Sequence, residues 1–347
     1  MNAWLPTIDI LIPTLNAAGA LPRCLSSIQQ QDYPADRVRI IVADGGSTDA
    51  TKAIARRYGA TVVPHTERLA EVGKAMALRA ATAELVALID SDNVLPHRAW
   101  LRHMVSPFAD RDIVASEPIR FTYRPEDGFI TRYCALLGMN DPLCLFLGTY
   151  DRECLLTGRW TGLPVREEPR LGYRVVTLVP GRLPTIGANG TLFRREALLD
   201  ALGDAPELFD IDMLPRLLTH RRSVRVAKVE DGIIHVYADS IRIFSNKQYR
   251  RVRDYLYYRS RGSRVYPWTK TALPGVMVFA FACVTVVPLF IQSWRGYRRV
   301  RDRAWWFHPL ACLLTFAIYA TGFLESLIRP SLASRTAWKQ TTALPSR

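Results

Sequence analysis

The chain has 347 residues, with 46 Lys+Arg against 32 Asp+Glu and a formal net charge of +14. That length suits one large α/β domain with an appendage, and the basic excess implies an anionic partner: nucleic acid, a phosphorylated ligand or an anionic membrane surface. The six cysteines (Cys24, Cys134, Cys144, Cys154, Cys283, Cys312) make no Cys-x-x-Cys pair and have no histidine at zinc-like spacing, so they read as reduced thiols of a cytosol-facing protein. No basic region followed by an apolar stretch opens the chain, and no secretory signal is expected.

Apolar β-rich runs alternate with amphipathic stretches up to about residue 230. Ile8 to Ile12 reads as the first strand, stopped by Pro13, and a helix follows over 18–30. Val38 to Val42 is the second strand, ending at Asp44-Gly45-Gly46-Ser47-Thr48-Asp49. The helix after it spans 50–58, with Thr48 or Asp49 as its N-cap. A short strand at 61–63, a helix over 70–82, a strand from Leu85 to Asp90, a helix over 96–107 and a strand at 112–115 complete the series. This alternation predicts an α/β fold, a Rossmann-like, mostly parallel sheet with crossover helices. Residues 120–185 have weaker periodicity and many Gly, Pro and Arg residues, and are expected to form a loop-rich insertion.

Residues 239–268 mix Ile241, Ile243, Phe244, Tyr249, Val252 and Leu256 with Arg and Lys, the composition of an amphipathic helix on an anionic membrane. Basic residues with aromatics also suit nucleic acid. The apolar runs that follow favour lipid, and no nucleic-acid partner is expected. Within 269–329, the runs Thr271–Ser293 and Ala304–Ile328 each reach the ~20 residues a helix needs to cross a bilayer. Trp268, Trp294, Trp305 and Trp306 sit at their ends, where headgroup-level aromatics are favoured. The linker between them carries Arg295, Arg298, Arg299, Arg301 and Arg303, and the segment before the first run is equally basic, Lys270 included. A simple hairpin cannot keep both on one side. Either the first run, broken by Pro288, is re-entrant or interfacial, or the linker departs from the positive-inside rule. A basic tail, 330–347, ends the chain.

The apolar run 85–89 ends in Asp90-Ser91-Asp92. Carboxylates spaced i, i+2 on a strand emerge on the same side, and at its carboxyl end they would seat a hard divalent cation. Asp-Ser-Asp-Asn is also ordinary turn chemistry. Two other strand ends carry polar clusters, Pro13-Thr14-Leu15-Asn16 and Asp44-Gly45-Gly46-Ser47. In a doubly wound sheet these ends converge on one crevice, with a base and ribose near Thr14 and Asp44 and a metal-bound diphosphate at Asp90 and Asp92. No Walker A, Gly-x-Gly-x-x-Gly or His-Glu-x-x-His is present, which weighs against kinases, dehydrogenases and zinc peptidases.

These motifs, with Gly73-Lys74-Ala75, Gly187-Ala188-Asn189-Gly190, Phe209-Asp210-Ile211-Asp212 and Gln248-Tyr249-Arg250-Arg251-Val252, resemble the family 2 glycosyltransferases of GT-A fold over about residues 7–255. The resemblance implies a GT-A domain over 1–238, with 120–185 on the acceptor side and C-terminal membrane helices. It implies that Pro13, Thr14, Asn16, Asp44, Gly45, Lys74, Asp90, Ser91 and Asn189 bind a nucleotide-diphosphate sugar, Asp44 at the base. Asp90 and Asp92 would bind Mg²⁺ or Mn²⁺, with His235 at the position of a C-terminal histidine near the metal. Asp210 would be the base of an inverting displacement, and Gln248 and Arg251 would face the acceptor and membrane. Phe209 replaces the usual Glu before the base and Val252 replaces a Trp, which argues against a processive polymer synthase.

The expected activity moves a sugar to a hydroxyl on a lipid-linked acceptor in cell-envelope or surface-glycan synthesis, at the inner membrane with the catalytic domain facing the cytoplasm. A polyprenyl-phosphate glycosyl synthase is the alternative, since an anionic acceptor needs cations rather than a base. A sugar-phosphate nucleotidyltransferase shares the sheet architecture but would want a Gly-rich, basic first loop. A non-catalytic lipid-binding scaffold is the remaining possibility.

Overall fold

The computed structural model describes residues 5–181, 183–267 and 273–328. Trp268, Lys270 and the basic tail 330–347 lie outside the described residues. Ten strands occur in chain order: β1 (Ile8–Thr14), β2 (Val38–Asp44), β3 (Thr61–Pro64), β4 (Leu85–Leu88), β5 (Asn93–Val94), β6 (Ile113–Thr122), β7 (Arg166–Arg170), β8 (Tyr173–Leu178), β9 (Thr191–Arg194) and β10 (Val224–His235). The helices are α1 (Leu21–Gln29), α2 (Thr51–Arg57), α3 (Ala70–Ala80), α4 (Trp100–Val105), α5 (Phe129–Leu137), α6 (Leu143–Leu147), α7 (Arg195–Leu202), α8 (Met213–His220), α9 (Ile241–Arg261), α10 (Leu273–Thr285), α11 (Val287–Arg299) and α12 (His308–Ile328).

The sheet runs β3-β2-β1-β4-β9-β6-β10-β8-β7, with β5 paired to β10 off that path. Its first four strands are parallel, and their near-continuous apolar runs suit a sheet covered on both faces. Leu11, Ile41 and Ala43 face the layer of α3, α7 and α8, whereas Ile8, Ile10, Ile12 and Val42 face that of α1 and α4. Beyond β4 the sheet turns antiparallel through β9, returns to one parallel pair, β6–β10, and ends in the β7–β8 hairpin. The sheet is therefore mixed, and only its N-terminal half fits the parallel expectation.

The region 120–185 joins short regular elements by long irregular stretches. It carries α5, α6 and the hairpin that extends the sheet. The predicted helix over 96–107 shortens to α4 followed by a 3₁₀ turn, because Pro107 lacks the N–H that would continue an α-helix.

The first apolar run is two helices bent by 94° at Val286, with Pro288 in the first turn of the second. Arg299 then donates to the Leu155 carbonyl, Arg132 pairs with Asp302 at 3.1 Å, and Trp305 is fully buried beside Tyr133. The arginine linker thus returns to the globular body, and the bent pair has the geometry of a broken span or a re-entrant loop. It also corrects the expectation for Trp305, which is a core residue and not an interfacial one; Trp294 and Trp306 stay about half exposed. Arg303–Leu327 is long and apolar enough to cross a bilayer. Its helix α12 packs on α9, with Gly322 against Val252 and Tyr255 near Phe323.

Candidate active site

The ends of β1 and β2 are stitched into one surface. Asp44 is buried, and its Oδ2 accepts the N–H groups of Gly46 (3.2 Å) and Ser47 (3.0 Å), while Thr14 Oγ1 donates to its Oδ1 at 3.4 Å. Asn16, at φ 52°, accepts from Thr48 N–H at 2.9 Å and donates its own N–H to Ser47 Oγ at 2.9 Å. Asp44 therefore also shapes the loop that carries Gly45. The N-cap of α2 is Ala50 and not Thr48 or Asp49; Asp49, one residue before it, accepts from Thr51 N–H (3.0 Å) and from Ala18 N–H (3.1 Å).

Strand alternation does not set Asp90 and Asp92. β4 stops at Leu88, and residues 90–93 form a turn closed by Asn93 N–H donating to Asp90 O and Asp90 N–H donating to Asn93 Oδ1, both at 2.9 Å. Ser91 stands within it, partly exposed. The side-chain bonds of Asn93 that shape this turn do not need a pleat, so turn chemistry itself presents both carboxylates. Asn93 is fully buried and also donates to Asn189 Oδ1 at 3.1 Å. It ties the Asp90–Asp92 turn to the Gly187–Gly190 loop, a link that sequence reasoning missed.

Three groups converge on this turn. Lys74, buried on α3, places Nζ 2.6 Å from Asp210 Oδ2 and 3.2 Å from Asp90 Oδ1. Asp92 Oδ2 lies 3.4 Å from His235 Nε2 and 3.5 Å from Lys247 Nζ. Burial works to raise the Asp92 pKa, but His235 and Lys247 together hold it well below the usual range. Burial pushes the Asp210 carboxyl up to about 6, Lys74 opposing the rise and Asp90 adding to it. Asp210 Oδ1 is buried and has no hydrogen-bond partner among the described residues. Gly187, at φ 144°, makes this closeness possible, since a Cβ there would fall 2.7 Å from the Asp210 carbonyl carbon.

A buried cluster of charges, absent from the sequence reading, holds the Gly187–Gly190 loop. Glu117, Arg152 and Lys228 are essentially inaccessible. Arg152 Nη1 and Lys228 Nζ reach Glu117 Oε2 at 2.7 and 2.6 Å. Arg152 Nη2 donates to the carbonyls of Ala188 (2.9 Å) and Asn189 (3.2 Å), and Glu117 Oε1 accepts from Gly187 N–H at 3.0 Å. A glutamate in β6 and a lysine of opposite sign in β10 were the available signal.

Gln248 and Arg251 face a different neighbourhood from the turn. Gln248 is fully buried, donates to Asn140 O at 2.8 Å and accepts from Arg251 Nη1 at 2.7 Å, and Tyr319 of α12 donates to Asp141 at 2.6 Å. Asn140 in turn lies 3.2 Å from His235 Nδ1, so α9 and α12 connect to the cluster through it. Val252, in the place of the family's Trp, is pressed against Gly322, where an indole would displace α12.

Asp90, Asp92 and His235 are a hard-oxygen and imidazole set that suits Mg²⁺ or Mn²⁺. The partners of those carboxylates are cationic, Lys74 and Lys247, so the pocket already holds positive charge where a metal would sit.

Comparison with known proteins agrees. The Glycosyl transferase family 2 model matches residues 9–159. Glycosyltransferase AglE of Haloferax volcanii is 29% identical over 149 residues, covering 40% of this chain and 48% of that protein. The 4,4'-diaponeurosporenoate glycosyltransferase of Staphylococcus aureus is 29% identical over 145 residues, covering 39% and 38%. The chain thus spans less than half the length of these relatives. Among solved structures, the mannosyltransferase PcManGT of Pyrobaculum calidifontis, in complex with GDP-Man and Mn²⁺, superposes with a TM-score of 0.52 at 18% identity, over 93% of this chain and 88% of its own. Residues 9–159 are a family 2 glycosyltransferase domain, carried on a GT-A fold.

Proposed function

We propose that the chain is a membrane-associated, metal-dependent inverting glycosyltransferase that moves a sugar from a nucleotide-diphosphate donor to a hydroxyl on a lipid-linked acceptor. The observation that carries this reading is Asp210: one carboxylate oxygen is fixed by Lys74, which also reaches Asp90, and the other is buried with no hydrogen-bond partner among the described residues. Asp90 and Asp92, with His235, would hold Mg²⁺ or Mn²⁺, which when bound stabilises the diphosphate leaving group. Pro13, Thr14, Asn16 and Gly45 shape the donor surface, with Asp44 holding its loop, and Ser91 and Asn189 border it. Lys74 keeps Asp210 ionised and aimed, and Asp210 Oδ1 accepts the proton of the attacking hydroxyl.

The acceptor side is assigned to Gln248 and Arg251, where α9 and α12 meet the body. The exposed apolar residues Met277, Phe281, Phe290 and Trp294 on the bent pair, with the basic residues of α9, support association with an anionic inner-membrane surface, the domain on the cytoplasmic side. The test is a screen of radiolabelled nucleotide sugars against extracted membrane lipids, repeated with Asp210→Asn. Loss of lipid labelling by ~10²–10⁴-fold is expected. Near-full activity of the variant would overturn the hydroxyl acceptor in favour of a polyprenyl phosphate, which needs no base.

A further inference from the structure

Away from the cleft, three metal-ligating side chains meet. His97 Nε2 lies 3.0 Å from the Asp231 carboxylate, and His103 Nδ1 lies 2.8 Å from its Oδ2. The two imidazole rings are 5.3 Å apart, and the three ligand atoms all lie within 4.8 Å of one another. Donors of a tetrahedral zinc ion stand roughly 3.3 Å apart, so small adjustments would admit the ion.

The arrangement is built rather than incidental. Asp231 is buried and sits at a register shift of β10, where Gly232 N–H donates to its Oδ1 at 2.7 Å; Trp100 Nε1 in turn holds the Gly232 carbonyl at 2.7 Å. Both histidines are about half exposed, which leaves the outer side open to a water ligand. We propose that His97, His103 and Asp231 form a site for a borderline divalent cation of the Zn²⁺ class, completed by water and separate from the cleft metal.

The location explains what such an ion would do. β5 and β10 pair antiparallel, with Asn93 opposite His235 and Val94 opposite Ile234. Continuing that register sets His97 opposite Asp231. The ion closes one end of a short ribbon, and Asp92 and His235 meet at the other. A hydrogen-bonded His–Asp–His cluster with no metal affinity is the competing account of the same contacts.

The experiment uses the full chain in detergent, stripped with chelator, in an Asp92→Asn background that weakens the cleft site. Titrated with Co²⁺, this variant is expected to take up about one equivalent with the visible absorption of a tetrahedral ion. Adding His97→Gln and His103→Gln should abolish that band. In the otherwise unchanged chain, the same two substitutions should lower Zn²⁺ retained through gel filtration by one equivalent and remove the Zn²⁺-dependent rise in melting temperature. Absence of Co²⁺ uptake in the Asp92→Asn chain, or uptake and retention indifferent to the histidine substitutions, would overturn the proposal.

Discussion

Arg152→Met is the sharpest probe of how the candidate site is held. The substitution keeps much of the side-chain volume and removes one cation from a cluster in which Glu117, Arg152 and Lys228 are 0–1% exposed. Glu117 then keeps Lys228 as its only cation partner of the two, and the Ala188 and Asn189 carbonyls lose their guanidinium donor. Breaking a buried pair from one side costs about 3–5 kcal/mol, because a desolvated charge is left behind. At roughly 2 °C per kcal/mol for a chain of this size, the melting midpoint should fall by about 6–10 °C. Asp151, the other carboxylate paired with Arg152, is also left without its cation; adding Glu117→Gln rebalances the cluster, with Lys228 left facing Asp151, and should recover part of that loss, giving a coupling energy of about 2 kcal/mol or more in a double-mutant cycle. Differential scanning fluorimetry of the four proteins measures it. A single-variant loss below about 1 kcal/mol, or additive losses, would refute the claim that this cluster works as a unit.

Because the Asp210 carboxyl is raised from its ordinary 3.8 to about 6, kcat/KM for glycosyl transfer should rise with pH through about 6. Lys74→Met, which removes the opposing cation, should move that limb upward in a pH–rate series. The same raised pKa means the folded state holds this proton more tightly, so the group's contribution to stability falls as pH climbs from about 4 to about 6, visible as a loss absent from Asp210→Asn. Gly187→Ala should cost more than ten-fold in kcat with donor affinity less affected, since its Cβ meets the Asp210 backbone; unchanged kinetics would contradict that contact. In membrane vesicles, cysteines at Arg301 and at the exposed Asp36 of the catalytic domain should react with an impermeant maleimide from one side. Labelling from opposite sides would rule out the returning α10–α11 bend.

The parallel half of the sheet was legible because a strand buried on both faces leaves an unmistakable apolar run, and β1, β2 and β4 each end in a polar cluster. Asp90, Asp92, His235, Lys74 and Asp210 were nominated by motif order, and the fold does bring them into one cluster. The reason offered for Asp90 and Asp92 was wrong in its mechanics, because the side chain of Asn93 ends the pleat and closes a turn. Alternation patterns cannot report a side-chain-driven turn. Arg152 and Glu117 are 35 positions apart and meet only because β6 lies beside β10 and the 138–152 segment folds across it, so no local window contains the pair. Trp305 looked interfacial for a similar reason: its burial comes from α5, which the linear pattern places far away.

The packing of α9 on α12 has a consequence for distance. Lys247 and Gln248 of α9 touch Asp92 and Asn140, while Val252 and Tyr255 of the same helix touch α12. From Lys247 to Arg261 the helix rises about 21 Å and carries Arg250, Arg251, Arg253, Arg259 and Arg261. In a bilayer α12 could not sink into hydrocarbon without drawing those guanidinium groups after it, at several kcal/mol each for those forced to the centre. On the proposed membrane-bound function, the basic helix acts as a depth stop and a ruler at once, setting the height of Asp92 above the lipid and with it the length of acceptor that can present its hydroxyl there.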